Sequence, residues 1–112
     1  MNNINNVISD FENASINNGL AQEEGNANQA NKFYRVIEKR RTWLIEHDEL
    51  HNEKFLELLN HENDYVRLHA ACALLHVENE RALNTLSELT INKGILGFSA
   101  KMTISEYQKG HI

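Results

Sequence analysis

The stretch Leu68 to Val77, LHAACALLHV, is apolar at nearly every position and is broken only by His69 and His76. Ahead of it, Asn63 is a good helix N-cap and Asp64 suits the positive end of a helix dipole. The run therefore reads as a helix, and a helix apolar around most of its circumference has to be covered on several sides. That requirement constrains the whole chain, because the other elements must be arranged around this one. Proline is absent and the five glycines are spread along the 112 residues, punctuation that favours helices joined by short turns over a strand-rich fold.

The remaining periodicities supply those helices. Ile4, Val7, Ile8 and Phe11 lie at i, i+3, i+4 and i+7 of a first helix over about residues 3 to 22, with NNGL at 17 to 20 expected to end or bend it. Gly25 closes this segment and Asn26 caps the next, the longest, in which Ala30, Phe33, Val36, Ile37, Arg40 and Leu44 share a side. Residues 50 to 60 give a short helix with Phe55, Leu58 and Leu59 inward. After the central helix, ENERALNTLSELTIN places Leu83, Leu86 and Leu89 in the core and is closed by Lys93-Gly94. The final segment carries Ala100, Ile104 and Tyr107 on one stripe and ends at Gly110. The expected fold is all-α, one domain of six helices with no strand. Sixteen asparagines, many of them in the first third, read as compositional drift rather than a functional tract.

Composition excludes several classes. With 41% hydrophobic and 24% charged residues the chain is globular, not disordered. A net charge of −5 argues against wrapping nucleic acid, which needs clustered Lys and Arg. The one basic cluster, Lys39, Arg40 and Arg41, reads as a solvated face making i,i+4 pairs, since four acidic residues follow closely (Glu46, Asp48, Glu49, Glu53). A single cysteine, Cys72, rules out an internal disulfide and fits a reducing compartment. The opening MNNINNVISD lacks the regions of a signal peptide, and no apolar run reaches the roughly 20 residues of a membrane span. A soluble, cytoplasmic protein is expected.

Two constellations invite a chemical reading. HDELH, residues 47 to 51, differs by one methylene from the His-Glu-x-x-His zinc-peptidase signature, which needs both histidines on one helix face and a glutamate base. Asp48 is shorter than that glutamate, and the stretch falls where one helix gives way to the next, so an exposed linker is expected. His69, Cys72 and His76 lie at i, i+3 and i+7, but seven residues of helix rise about 10.5 Å and zinc bonds are only about 2.0 to 2.3 Å. A packed cysteine flanked by histidines is the expected arrangement. No Gly-rich phosphate loop, catalytic triad order or paired catalytic carboxylates are present, so neither an enzyme nor a cofactor or metal is expected.

The segment NDYVRLHAACAL, residues 63 to 74, resembles the second helix of a HEAT repeat, which reads Asp-Pro-x-Val-Arg-x-x-Ala-Ala-x-Ala-Leu. Val66, Arg67, Ala70, Ala71, Ala73 and Leu74 match, with Asn63 and Asp64 in the Asp-Pro positions. ENERALNTLSEL and GILGFSAKMTISEY are similar to the two helices of a following repeat. Residues 20 to 110 as a whole, with GNANQANKFY, YVRLHAA and GILGFSAKMT in order, resemble a small bacterial HEAT-like family of unassigned function. The resemblance implies a compact right-handed HEAT/armadillo-like α-superhelix, with residues 1–25 as an N-terminal capping helix and 26–110 as helical repeats. Many small acidic proteins of this kind are encoded beside polymorphic toxins, including contact-dependent inhibition toxins. By resemblance, the expected role is an immunity protein that binds a cognate toxin C-terminal domain one-to-one and is a monomer when free.

Charge adds a surface to that expectation. Between Glu46 and Asp64 lie seven carboxylates, Glu46, Asp48, Glu49, Glu53, Glu57, Glu62 and Asp64, against one lysine, Lys54, a local balance of −6 within a chain of −5. A nuclease toxin holds phosphate in a positive cleft, RNase being the guess by charge, and an inhibitor that presents carboxylates can occupy it. Aromatic anchors for such an interface are Tyr34, Trp43 and Tyr65, each of which also suits a core position. The other reading is a HEAT-like adaptor that takes a helix or peptide in its groove.

Overall fold

A computed structural model describes residues 3–112. Among them there is no strand, and six helices stand where the periodicities place them: α1 (Ile4–Glu23), α2 (Ala27–Glu46), α3 (Glu53–Leu56), α4 (Asp64–Leu74), α5 (Asn79–Leu89) and α6 (Ile95–Gln108). A single 3-10 turn, Glu57–Asn60, prolongs α3, so the short helix expected over 50 to 60 is half α and half 3-10. The caps are those the sequence offers. Asn26 accepts from the Gln29 amide, and Asn63 accepts from the Tyr65 and Val66 amides.

Helix α4 is the hub. It packs on α1, the 3-10 turn, α5 and α6, and Val66, Ala70, Ala71 and Leu74 are wholly buried. Its small residues let neighbouring helices come close, as the alanine pattern requires. Helix α1 lies between α2 and α4 and packs most extensively on α2. Phe11 of α1 and Phe55 of α3 are both fully buried and meet edge to face at 5.0 Å, which fixes the α2–α4 connection against the first helix. No helix of the described residues is long and apolar enough to cross a membrane.

Four local expectations are corrected. NNGL does not end α1, which runs on to Glu23, because Gly19 is buried under the ring of Tyr65 and any Cβ there would penetrate that ring. Lys93-Gly94 does not close α5, which stops at Leu89; Gly94, at φ 87°, instead turns the chain into α6. Leu83 is only half-buried, and Ala82 and Thr85 fill the core beside Leu86 and Leu89. The basic cluster makes no i,i+4 pair: Arg40 reaches Asp10 on α1 at 3.1 Å, and Arg41 pairs with Glu38 at i,i+3 and 2.7 Å. Arg40 shares the buried side of α2, so its guanidinium is directed at the neighbouring helix rather than along its own.

Candidate functional site

The connection from α2 to α4 carries the acidic segment. Helix α2 ends at Glu46, Asp48 takes a left-handed φ of 54°, and the chain turns through residues 47 to 52 into α3. Glu46, Asp48, Glu53, Glu57 and Glu62 are exposed and Glu49 is half-buried. None of these six lies within ion-pairing distance of a cation among the described residues, and Glu49 accepts only from Asn52 (3.2 Å). The single lysine of the segment, Lys54, donates to Asn5 on α1 (2.8 Å) rather than to a carboxylate. Asp64 differs from the other six, pairing with Arg67 (3.5 Å), which also bridges to Glu88. Elsewhere most acids have a local partner: Asp10 with Arg40, Glu12 with His61, Glu38 with Arg41, Glu78 with Arg81 and Glu106 with His111. The unpaired negative charge is concentrated in this one connection.

The expected aromatic anchors separate. Tyr65 is a core residue, 8% exposed, its ring over Gly19 and its hydroxyl donating to Glu23 (2.5 Å); burial and that carboxylate raise its phenol pKa. It is therefore not available as a surface anchor, and the small Gly19 opposite it is the reason. Trp43 is half-buried and stacks on His47 at 3.8 Å. Tyr34 is 46% exposed and stands beside Glu38, its pKa raised by burial and by that carboxylate.

HDELH is not a helix. His47 closes α2, its Nδ1 donating to the Trp43 carbonyl (2.9 Å), while His51 lies beyond the turn. The two rings are thus held by different backbone segments, and a histidine engaged as a C-cap does not present that nitrogen to a metal. The second constellation is also dispersed. His69 is buried, Cys72 has Thr103 Oγ1 at 3.9 Å, and His76 is exposed with its ring against Tyr107. Burial pushes the Cys72 thiol pKa up, which keeps it protonated and a poor ligand.

His69 belongs to a polar knot joining three helices. Asn18 of α1 donates its amide to the Ala30 carbonyl of α2 (2.9 Å), so its Oδ1 is the acceptor for Gln22 (2.6 Å) and for His69 Nε2 of α4 (2.9 Å). His69 must then carry its proton on Nε2. Burial lowers its pKa to about 4, with Glu38 opposing weakly, so the ring is neutral near neutrality. The unfolded chain binds a proton near 6.5; the folded protein resists it. Stability is therefore whole above about pH 6.5 and falls as pH drops toward 4. By about pH 4.5 the loss reaches roughly 2 to 3 kcal/mol. Urea unfolding at both ends of this window should show that loss in the native protein, and a clearly smaller one in His69→Gln, which keeps an amide donor for Asn18.

His69 also forms part of the floor of a groove of about 460 Å³ between α2, α4 and α6, bounded by Tyr34, Ile37 and Arg41 on one wall and Ser99 and Thr103 on the other, with Ile112 at its edge. The outer line of α6 was not anticipated from the sequence. Ile95, Phe98 and Met102 are 44%, 64% and 43% exposed, and Ile91 just before the helix is 84% exposed. The i, i+3, i+7 spacing of Ile95, Phe98 and Met102 is the same signal that marks the inner stripe of Ala100, buried, and Ile104 and Tyr107, half-buried, repeated on the opposite side.

No protein-family model, curated protein or solved structure matches this chain.

Proposed function

We propose that this protein is an immunity protein, which neutralises a cognate bacterial toxin domain by laying the acidic α2–α4 connection over a basic, phosphate-holding cleft. The observation that carries the reading is the set of six carboxylates, Glu46, Asp48, Glu49, Glu53, Glu57 and Glu62, held without a counter-charge, while five of the other ten acids pair with an arginine and two more bond a histidine. Uncompensated charge on a surface that folding does not need is a field aimed outward, and such fields accelerate association with an oppositely charged partner. Trp43, at the end of α2 beside this segment, supplies the partly exposed aromatic contact. The HEAT-like resemblance of residues 63 to 74 and of the GILGFSAKMT segment supports the same assignment. The complex is one-to-one, forms in the cytoplasm and involves no cofactor, and an RNase is the toxin class that fits the charge.

Growth of bacteria expressing the toxin C-terminal domain encoded immediately upstream, with and without this protein, tests the reading. Rescue together with a one-to-one complex on size exclusion supports it; failure of both overturns it. In the complex, Glu53→Lys combined with Glu57→Lys should slow association about 10- to 100-fold at low salt, with the difference shrinking as salt rises to about 0.5 M. A second reading, a HEAT-like adaptor, is favoured by the α2–α4–α6 groove. It calls for a helical or extended peptide partner whose affinity is largely indifferent to salt and to those two substitutions.

A further inference from the structure

His69 has a hydrogen-bonding capacity that the polar knot leaves unused. Its Nε2 has to donate to Asn18 Oδ1 (2.9 Å), because the Asn18 amide is turned to the Ala30 carbonyl. The other ring nitrogen, Nδ1, is therefore an acceptor with a free lone pair. Among the described residues nothing donates to it, and the polar side-chain atoms that are both enclosed and unpartnered are Arg40 Nε and Arg41 Nε. Nδ1 is thus not sealed inside the protein. His69 is only 9% exposed, and the open space it borders is the groove of about 460 Å³ between α2, α4 and α6.

The walls of that groove limit what can pair with the lone pair. Ile37, Leu68 and Leu75 line it and are buried, and the Tyr34 ring stands beside the imidazole with centroids 6.2 Å apart. A water molecule needs two to four polar partners to be held well, whereas an apolar molecule with a single N–H or O–H needs only one. Charge narrows the choice further. The groove holds one acid and one permanent cation, Glu38 and Arg41, and Arg41 donates to Glu38 at 2.7 Å. The Cys72 thiol, also in the groove, is kept protonated by its burial. An anion would meet Glu38 and a cation Arg41, so the site favours a ligand without charge. The volume lies within the roughly 300 to 1,000 Å³ of small-molecule pockets.

We propose that this groove binds a small, neutral aromatic molecule, which donates one N–H or O–H to His69 Nδ1 and lays its apolar body between Leu68, Leu75 and the Tyr34 ring. None of the six unpaired carboxylates of the α2–α4 connection lines the groove, so the site does not rest on the immunity reading.

Indole, whose N–H is its one strong donor, is the probe, and N-methylindole supplies the same body without the donor. Indole is titrated into protein with isotope-labelled histidine at neutral pH, and the imidazole nitrogens are followed by NMR. The expected result is a saturable shift of His69 Nδ1, with a dissociation constant on the order of 0.1 to 1 mM. N-methylindole should bind about 10-fold more weakly and leave Nδ1 unmoved. His69→Gln keeps an amide donor for Asn18 but has no acceptor at the Nδ1 position, and should bind indole about 10-fold more weakly. Ser99→Phe, which fills the groove from the α6 wall, should abolish binding of both probes. Circular dichroism and melting temperature serve as folding controls for the two variants. Absence of an Nδ1 shift up to about 5 mM indole overturns the proposal, and so does equal affinity for the two indoles. Both of these outcomes are read on the native protein, and neither depends on a variant folding.

Discussion

Phe11→Ala will lower the free energy of unfolding by about 4 kcal/mol, read from urea denaturation near neutral pH. Phe11 is wholly buried and its ring meets the edge of Phe55, also wholly buried, at 5.0 Å. Truncation removes the transfer energy of the ring and leaves a cavity between α1 and α3 that rigid helices on both sides cannot collapse. A domain of this size has only about 5 to 15 kcal/mol in total, so the variant should sit close to its unfolding transition at physiological temperature. Phe55→Ala should cost a similar amount. The double variant should cost less than the sum of the two, by about 0.5 to 1.5 kcal/mol, which is the edge-to-face contact counted twice. Strict additivity would show that the two rings do not support each other.

Gly97→Ala is expected to lose at least about 3 kcal/mol, against the trend that alanine in a helix gains about 1 kcal/mol over glycine. Gly97 lies in the first turn of α6, and a Cβ there would collide with the backbone carbonyl of Asn92 in the turn that precedes the helix. A carbonyl fixed by the Thr90–Asn92 turn has no rotamer with which to move away, so α6 itself must be displaced from α5. The test is again chemical denaturation, with the sign as the deciding feature. A variant as stable as the native protein would mean that the α5–α6 turn yields easily.

The fold was largely legible because its helices are specified locally. Asn26 and Asn63 cap where they stand, and the apolar circumference of α4 demands the neighbours it has. What escaped the sequence was tertiary. NNGL is a local breaker, but the side chain that overrides it, Tyr65, is more than 40 residues away. Arg40 was read as a surface charge because its partner, Asp10, belongs to another helix. The acidic segment was legible as a charge run; that six of its seven members are unpaired and Asp64 is not depends on where Arg67 points. Tyr65 went from anchor to core for the same reason that Gly19 did not break α1. The outer stripe of α6 obeys a periodicity as plain as any other, and was masked because a helix with two apolar sides offers two equally good choices of inner face.

The contacts between sequence neighbours divide the protein into two parts, α1 with α2 and α4 with α5 and α6, joined along the seam between α1 and α4. The hydrogen bonds that tie α1 to the later part of the chain, Lys54 with Asn5, His61 with Glu12, His69 with Asn18 and Tyr65 with Glu23, span 49, 49, 51 and 42 residues of chain. Each half can therefore assemble from short-range encounters, and closing one long loop is the entropically expensive event. Val7 and Phe11 of α1 share one buried cluster with Phe55 and with Val66, Ala70 and Leu74 of α4, so that cluster is complete only once the loop has closed. The buried His69 Nε2 finds its acceptor, Asn18 Oδ1, only in the native alignment, so an off-register closure of that loop leaves it unpaired and is costly.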